Sequence, residues 1–152
     1  MSTQERYKMY AQRVELFRGI SPEDVYKILS KGMTMNVTKD QTIFHKGTTG
    51  NQMFVILGGS VALFDGKKPL ATVRVGEMFG EMALINSEPR SATAVAAEDS
   101  HLFVLDETTF QKLMTKSVAI RMLLNIIATQ SHRLKSANER LLNTADAAKA
   151  PI

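Results

Sequence analysis

Glu81 and Arg90, nine positions apart, are the residues of this 152-residue chain whose types and setting most readily do chemistry. They lie in Gly76-Glu77-Met78-Phe79-Gly80-Glu81-Met82-Ala83-Leu84 and the following Pro89-Arg90-Ser91-Ala92. Arginine carries a planar fork of donors that suits phosphate. An ionised glutamate only accepts hydrogen bonds, so it suits hydroxyl donors such as those of a ribose. Gly80 opens a short run of helix formers and has no Cβ, which lets a ligand approach the backbone. The first N–H groups of a helix have no partner inside it and can grip an anion. One cation for phosphate, one acceptor for sugar and a nest of N–H groups between them describe a nucleotide monophosphate site. The rival reading, a surface ion pair beside a turn, leaves the surrounding glycines and small residues without a reason.

The pair of motifs Phe79-Gly80-Glu81-Met82-Ala83-Leu84 and Pro89-Arg90-Ser91-Ala92 resembles the phosphate-binding cassette of the cyclic nucleotide-binding domain family. That family includes bacterial catabolite activators, kinase regulatory subunits and gated ion channels. A looser likeness runs from about Leu16 to Leu142. The resemblance implies a ligand-binding set of Phe79, Gly80, Glu81, Met82, Ala83, Arg90, Ser91 and Ala92. In it Arg90 pairs with the exocyclic phosphate oxygens, helped by the N–H groups of Met82 and Ala83. Glu81 accepts the ribose 2′-hydroxyl, and Ser91 adds a polar contact. In the family a threonine at the Ser91 position often accompanies guanine preference, alanine or serine adenine preference. The ligand expected is therefore cAMP, with cGMP the alternative. When Arg133-Leu134-Lys135 is laid on the similar stretch of catabolite activators, Asn138 falls where that branch contacts the adenine amino group. The alternative, that Asn138 is an exposed helix residue, stays open.

Composition bounds the function classes. The length suits one domain with a real core. Hydrophobic content of 44% and charged content of 22% are ordinary for a globular chain. The absence of cysteine excludes disulfides, thiolate zinc sites and cysteine-ligated iron–sulfur clusters. The first residues lack the apolar core of a signal peptide. Arg121 and Asn125 break the best apolar run, 118–128, so no membrane span is expected. The compartment expected is cytoplasmic. The net charge of +4 is scattered, although the last third leans basic. A solvated helix face accounts for that lean more simply than a polyanion site.

The elements that must position the two residues follow from periodicity. Tyr7, Tyr10, Ala11, Val14 and Phe17 fall near helical spacing within residues 4–18. Ser21 and Pro22 open a second helix, 22–30, which Gly32 ends. The period then becomes alternating, with strands expected at 33–38, 42–45, 53–57, 61–64, 70–75, 92–97 and 101–105. Gly58-Gly59 reads as a hairpin turn. Asp106 caps a helix of roughly 107–115. A long helix, about 117–143, carries Ile120, Ile127, Leu134 and Leu141 seven apart, a seam that Gln130 interrupts. The fold expected is α+β, an antiparallel β-roll resembling a jelly-roll barrel, with N-terminal helices and a long C-terminal helix. The domain spans 1–143, with N-terminal helices at 4–30, the roll and its cassette at 33–105 and C-terminal helices at 106–143. A flexible tail is expected at 144–152.

Catalysis has no footing in these residues. His45, His101 and His132 are isolated, so a metal centre is not expected, and no nucleophile elbow is present. The chain reads as a binding module rather than an enzyme, with an unidentified effector. A DNA-reading module after the long helix would need some tens of further residues, so DNA binding is not expected of this chain. The heptad seam admits a homodimer through 117–143. The rival from another class is a structural module that keeps the roll and dimerises without ligand. The intact Glu81 and Arg90 pair argues against it.

Overall fold

The computed structural model describes residues 1–113 and 116–149. Helix α1 covers Thr3–Arg13 and begins in a capping box, with the Glu5 N–H donating to Ser2 Oγ and the Ser2 N–H to the Glu5 carboxylate. The helical spacing read over 4–18 does not continue as helix. Chain direction changes at Val14, and a 3-10 turn, Glu15–Phe17, follows. The reason is packing. Val14, Leu16 and Phe17 are all buried, and three such close neighbours cannot share one face of a helix. Helix α2, Pro22–Lys31, is capped by Ser21 through the Asp24 N–H and ends at Gly32. Gly32 is needed there for space rather than for a left-handed φ: a Cβ would lie 2.2 Å from the Phe103 ring.

Strands β1 (Met33–Val37), β2 (Thr42–Phe44), β3 (Gln52–Gly58), β4 (Ser60–Asp65), β5 (Lys68–Arg74), β6 (Met78–Phe79), β7 (Thr93–Ala96) and β8 (Ser100–Asp106) form two antiparallel four-stranded sheets. Their orders are β1-β8-β3-β6 and β2-β7-β4-β5. Between Phe79 and Thr93 the chain forms helix α3, Glu81–Asn86. Alternation decides where each strand residue goes. From β3, Phe54 and Ile56 enter the core between the sheets, while Met53, Val55 and Leu57 face a second core. That second core is completed by Leu16, Phe17, Val25 and Ile28 of the N-terminal helices and by Met122 and Ile126. Both faces of β3 and β8 are therefore buried, which explains their near-continuous apolar runs.

One turn differs from its sequence reading. Gly58-Gly59 does not close a hairpin. β3 pairs with β6 and β8, β4 pairs with β5 and β7, and the glycines carry the chain from one sheet to the other. Only Gly59 has a positive φ, +85°, and a Cβ there would sit 2.2 Å from Ser100 Oγ. The hairpin lies one strand later, where Asp65 pairs with Lys68 across Gly66.

Asp106 caps helix α4, Glu107–Leu113, by accepting the Thr109 N–H at 2.6 Å, and that bond holds its carboxyl below the usual range. Helix α5, Lys116–Lys149, runs past the expected end at residue 143, and 150–152 lie outside the described residues. Its first half is stapled to the 3-10 turn by buried Asn125, whose amide donates to Leu16 O and Arg18 O, both at 2.8 Å. No helix among the described residues is long and apolar enough to cross a membrane.

Candidate functional site

The cassette is shaped by a strand too short to stand alone. Met78 and Phe79 pair with Val55 and Phe54 of β3, and the Phe79 ring stacks on Phe54 with centroids 5.1 Å apart. Gly80 then turns the chain at φ +77° and serves as N-cap of α3. Glu81 is the first residue of that helix, so its N–H and those of Met82 and Ala83 have no acceptor inside it.

Arg90 stands beyond α3 in the loop that leads to β7. Its backbone is clamped by the β2–β3 loop: Arg90 N–H donates to Thr48 O and Gly47 N–H to Arg90 O, both at 2.8 Å. Its guanidinium donates to Gly80 O at 3.0 Å and Gln52 O at 2.8 Å, and lies over Phe44, 4.2 Å from the ring centroid. The residue is 7% exposed, and burial lowers its pKa from the ordinary arginine value. Among the described residues no carboxylate pairs with it. A buried cation held only by neutral acceptors is costly unless an anion joins it. Two carbonyls orient the fork and leave its other N–H groups for that anion.

Glu81 is also buried, at 4% exposed, but it has partners. Its Oε1 accepts from Arg133 Nη1 at 2.6 Å and from Gln130 Nε2. Arg133 Nη2 donates to Met78 O at 2.8 Å. The polar break in the heptad seam is thereby explained. Met122, Ile126, Gln130 and Arg133 lie at successive spacings of four, four and three on the face of α5 toward the body. The seam residues Ile120, Ile127, Leu134 and Leu141 lie exposed.

Both charges line a cavity of about 300 Å³. Phe79, Gly80, Glu81, Met82, Ala83, Arg90, Ser91 and Ala92 all line it. Asn138 does not. It is exposed on α5, five positions past Arg133 and so about 140° further round the helix. Arg133 is the α5 residue that reaches the cavity. The remaining wall comes from residues to which no motif pointed: Phe44 of β2, Leu63 of β4, and Ala71, Thr72 and Val73 of β5. Strand pairing in the second sheet, Leu63 with Ala71, Val61 with Val73 and Phe44 with Ala94, sets their places. For Gln130 a signal existed, a lone amide in an apolar repeat. Among the described residues no group of histidines and carboxylates could hold a metal ion.

The sequence of the Cyclic nucleotide-binding domain family matches over residues 34–117. The chain is 32% identical over 131 residues to the Cyclic AMP receptor protein of Thermus thermophilus, covering 83% of this chain and 60% of that one. It is 28% identical to a cAMP-dependent protein kinase regulatory subunit of Hypocrea atroviridis, over 71% of this chain and 23% of that protein. The solved structure of the Thermus thermophilus catabolite activator protein superposes with a TM-score of 0.76 at 31% identity, over 86% of this chain and 63% of that one. The chain spans less than two thirds of each of these relatives. With the cassette, the two-sheet roll and these matches in agreement, the chain belongs to the cyclic nucleotide-binding domain family.

Proposed function

We propose that this domain is a receptor for cAMP, with cGMP the weaker ligand, and that the ligand acts by repositioning α5. The observation that carries the reading is Arg90, which lines the cavity, buried and with no counter-ion among the described residues. A cyclic phosphate supplies the missing charge. The N–H groups of Met82 and Ala83, residues that line the same cavity, share its second oxygen. Glu81 accepts the ribose 2′-hydroxyl, and Ser91 gives a further polar contact. The purine lies against Leu63, Ala71 and Val73, an apolar wall that suits a flat ring. The names of the relatives above favour cAMP, and Ser91 in place of threonine agrees with them.

Signalling follows from the Glu81 contacts. A ligand changes an equilibrium only through interactions that differ between the states. Glu81 is shared between cavity and helix, so filling the cavity changes what Gln130 and Arg133 gain by docking. Among the described residues nothing beside the proposed phosphate position pairs a general base with a placed nucleophile, and in this reading the ligand leaves unchanged. The exposed Ile120, Ile127, Leu134 and Leu141 repeat suits a second copy of the chain packed along α5. A calorimetric titration with cAMP and cGMP side by side tests the reading. Tighter binding of cAMP is expected, and cGMP binding as tightly or more so would overturn the preference.

A further inference from the structure

Glu81 is met by two donors from α5, and both take the same oxygen. Gln130 Nε2 and Arg133 Nη1 donate to Oε1, the latter at 2.6 Å. Neither takes Oε2, and Glu81 lines the cavity. An arginine beside a carboxylate pairs most favourably through two parallel N–H bonds, one to each oxygen. Here the second terminal nitrogen, Nη2, donates instead to Met78 O at 2.8 Å, so Arg133 meets the carboxylate at one oxygen only. The backbone of Glu81 is set by the pairing of β6 with β3 and by the start of α3. What remains free is the turning of the carboxylate itself, and the bonds from α5 act on that. An ionised carboxylate oxygen has room for about two donors. With Gln130 and Arg133 both on Oε1, that oxygen is full, and the next donor goes to Oε2.

We propose that Gln130 is a positioning residue for ribose recognition: by filling Oε1 beside Arg133, it keeps Oε2 of Glu81 free for the 2′-hydroxyl of the ligand. The inference rests on the reading that Glu81 receives that hydroxyl. Without the amide, Oε1 has a place to spare, and the carboxylate can turn to take both terminal nitrogens of the guanidinium. That bidentate pair closes Oε2 to the ligand. Helix spacing puts Gln130 where it is needed. It lies three positions before Arg133 and four after Ile126, which is buried, so the face of α5 that packs on the body carries it to Glu81. A consequence follows for the response of α5. The helix and the hydroxyl use different oxygens of one carboxylate, so each favours the orientation that the other needs, and the coupling between them is reciprocal.

The test compares cAMP with 2′-deoxy-cAMP by calorimetric titration of the whole chain. In the unaltered protein the 2′-hydroxyl should tighten binding by roughly tenfold to a hundredfold, as a charge-assisted bond does. Gln130→Met keeps the length of the side chain and removes its donor. It should weaken cAMP by roughly threefold to tenfold while 2′-deoxy-cAMP stays within about twofold, so the ratio between the two ligands shrinks. A loss shared equally by both ligands makes Gln130 a support of α5 and nothing more. Unchanged binding of both removes it from the site. Either result overturns the positioning role and leaves the receptor reading intact. If the unaltered protein binds the two ligands equally, the assignment of the ribose to Glu81 fails, and this inference fails with it. If it binds neither, or if Arg90→Leu does not weaken cAMP, the receptor reading itself fails.

Discussion

Two buried charges line the cavity, and they are held in opposite ways. Arg90 is oriented by backbone carbonyls and an aromatic ring, all belonging to the roll and its loops. It has no anionic partner among the described residues. Glu81 is held by side chains of α5, which arrive from a separate element. In the proposed reading the unsatisfied Arg90 supplies affinity. Glu81, held by a separate element, supplies the response. The lesson is that a receptor separates these tasks: a charge that must bind is pinned by main chain, and a charge that must report is pinned by something that can leave.

The largest effect should come from the Arg90 end. Arg90→Leu removes the buried cation at the proposed phosphate position. A charge-assisted hydrogen bond contributes roughly 1.5–3 kcal/mol, which is about one to two decades of affinity. Binding of cAMP should fall by about tenfold to a hundredfold. The fold should survive, because the substitution also removes a buried charge without a counter-ion. A binding titration and a melting curve on the same sample check both halves. Unchanged affinity would mean that the two ends do not differ in the way described.

The Glu81 end should give a smaller loss of affinity with a second consequence that the Arg90 end lacks. Glu81→Gln keeps the side-chain shape but loses the charge that holds Arg133. The ion pair is worth the lower part of the 1.5–3 kcal/mol range, roughly, since the Arg133 side chain is 40% exposed and screened by water. Affinity should fall about tenfold as the ribose hydroxyl exchanges a charged acceptor for a neutral one. Amide hydrogen exchange around residues 130–136 should quicken in the ligand-free protein, because local opening follows the loss of local contacts. Arg90→Leu should leave those amides alone. Equal exchange in both variants would break the distinction between an end that binds and an end that reports.

The two ends were not equally legible in the sequence. The Arg90 end is local: the stretch from Phe79 to Ala92 holds the glycine, the helix start and the arginine, so one motif describes it. Even there the two-residue strand β6 escaped notice, because two residues carry no period. The Glu81 end closes over 52 positions, from the cassette to Arg133. Residue types along α5 hinted at it only through Gln130, which read as a fault in a dimer seam. The same limit explains Gly58-Gly59. Paired glycines announce a reversal of the chain, and only pairing in three dimensions decides whether the strands they join are partners. Strands β3 and β4 sit in different sheets because their apolar faces fill the roll from opposite sides. Conversely, the capping residues Ser21 and Asp106 stood out clearly, since a cap is satisfied within three positions.

The smallest effect should be at Asn138, and it sharpens what counts as the reporting end. Asn138 lies outside the cavity, about 140° round the helix from Arg133. It shares its side of α5 with Leu134 and Leu141, which are 63% and 68% exposed and lie four before and three after it. In a single chain it therefore has no route to the purine, and Asn138→Ala should change cAMP affinity by less than about twofold, within the range of ordinary surface substitutions. The seam supplies a route by which it matters. If two chains pack along Leu134 and Leu141, Asn138 of one copy comes beside α5 of the other, and its amide can then meet an adenine edge. That contact would depend on protein concentration, since dissociation removes it. Affinity is best measured at two protein concentrations, below and above the range in which light scattering detects association. A difference under twofold at both assigns the whole response to Arg133 and Gln130 of the same chain. A loss that appears only in the associated protein would move part of the reporting end onto a second copy, leaving the Arg90 end as the self-sufficient half of the site.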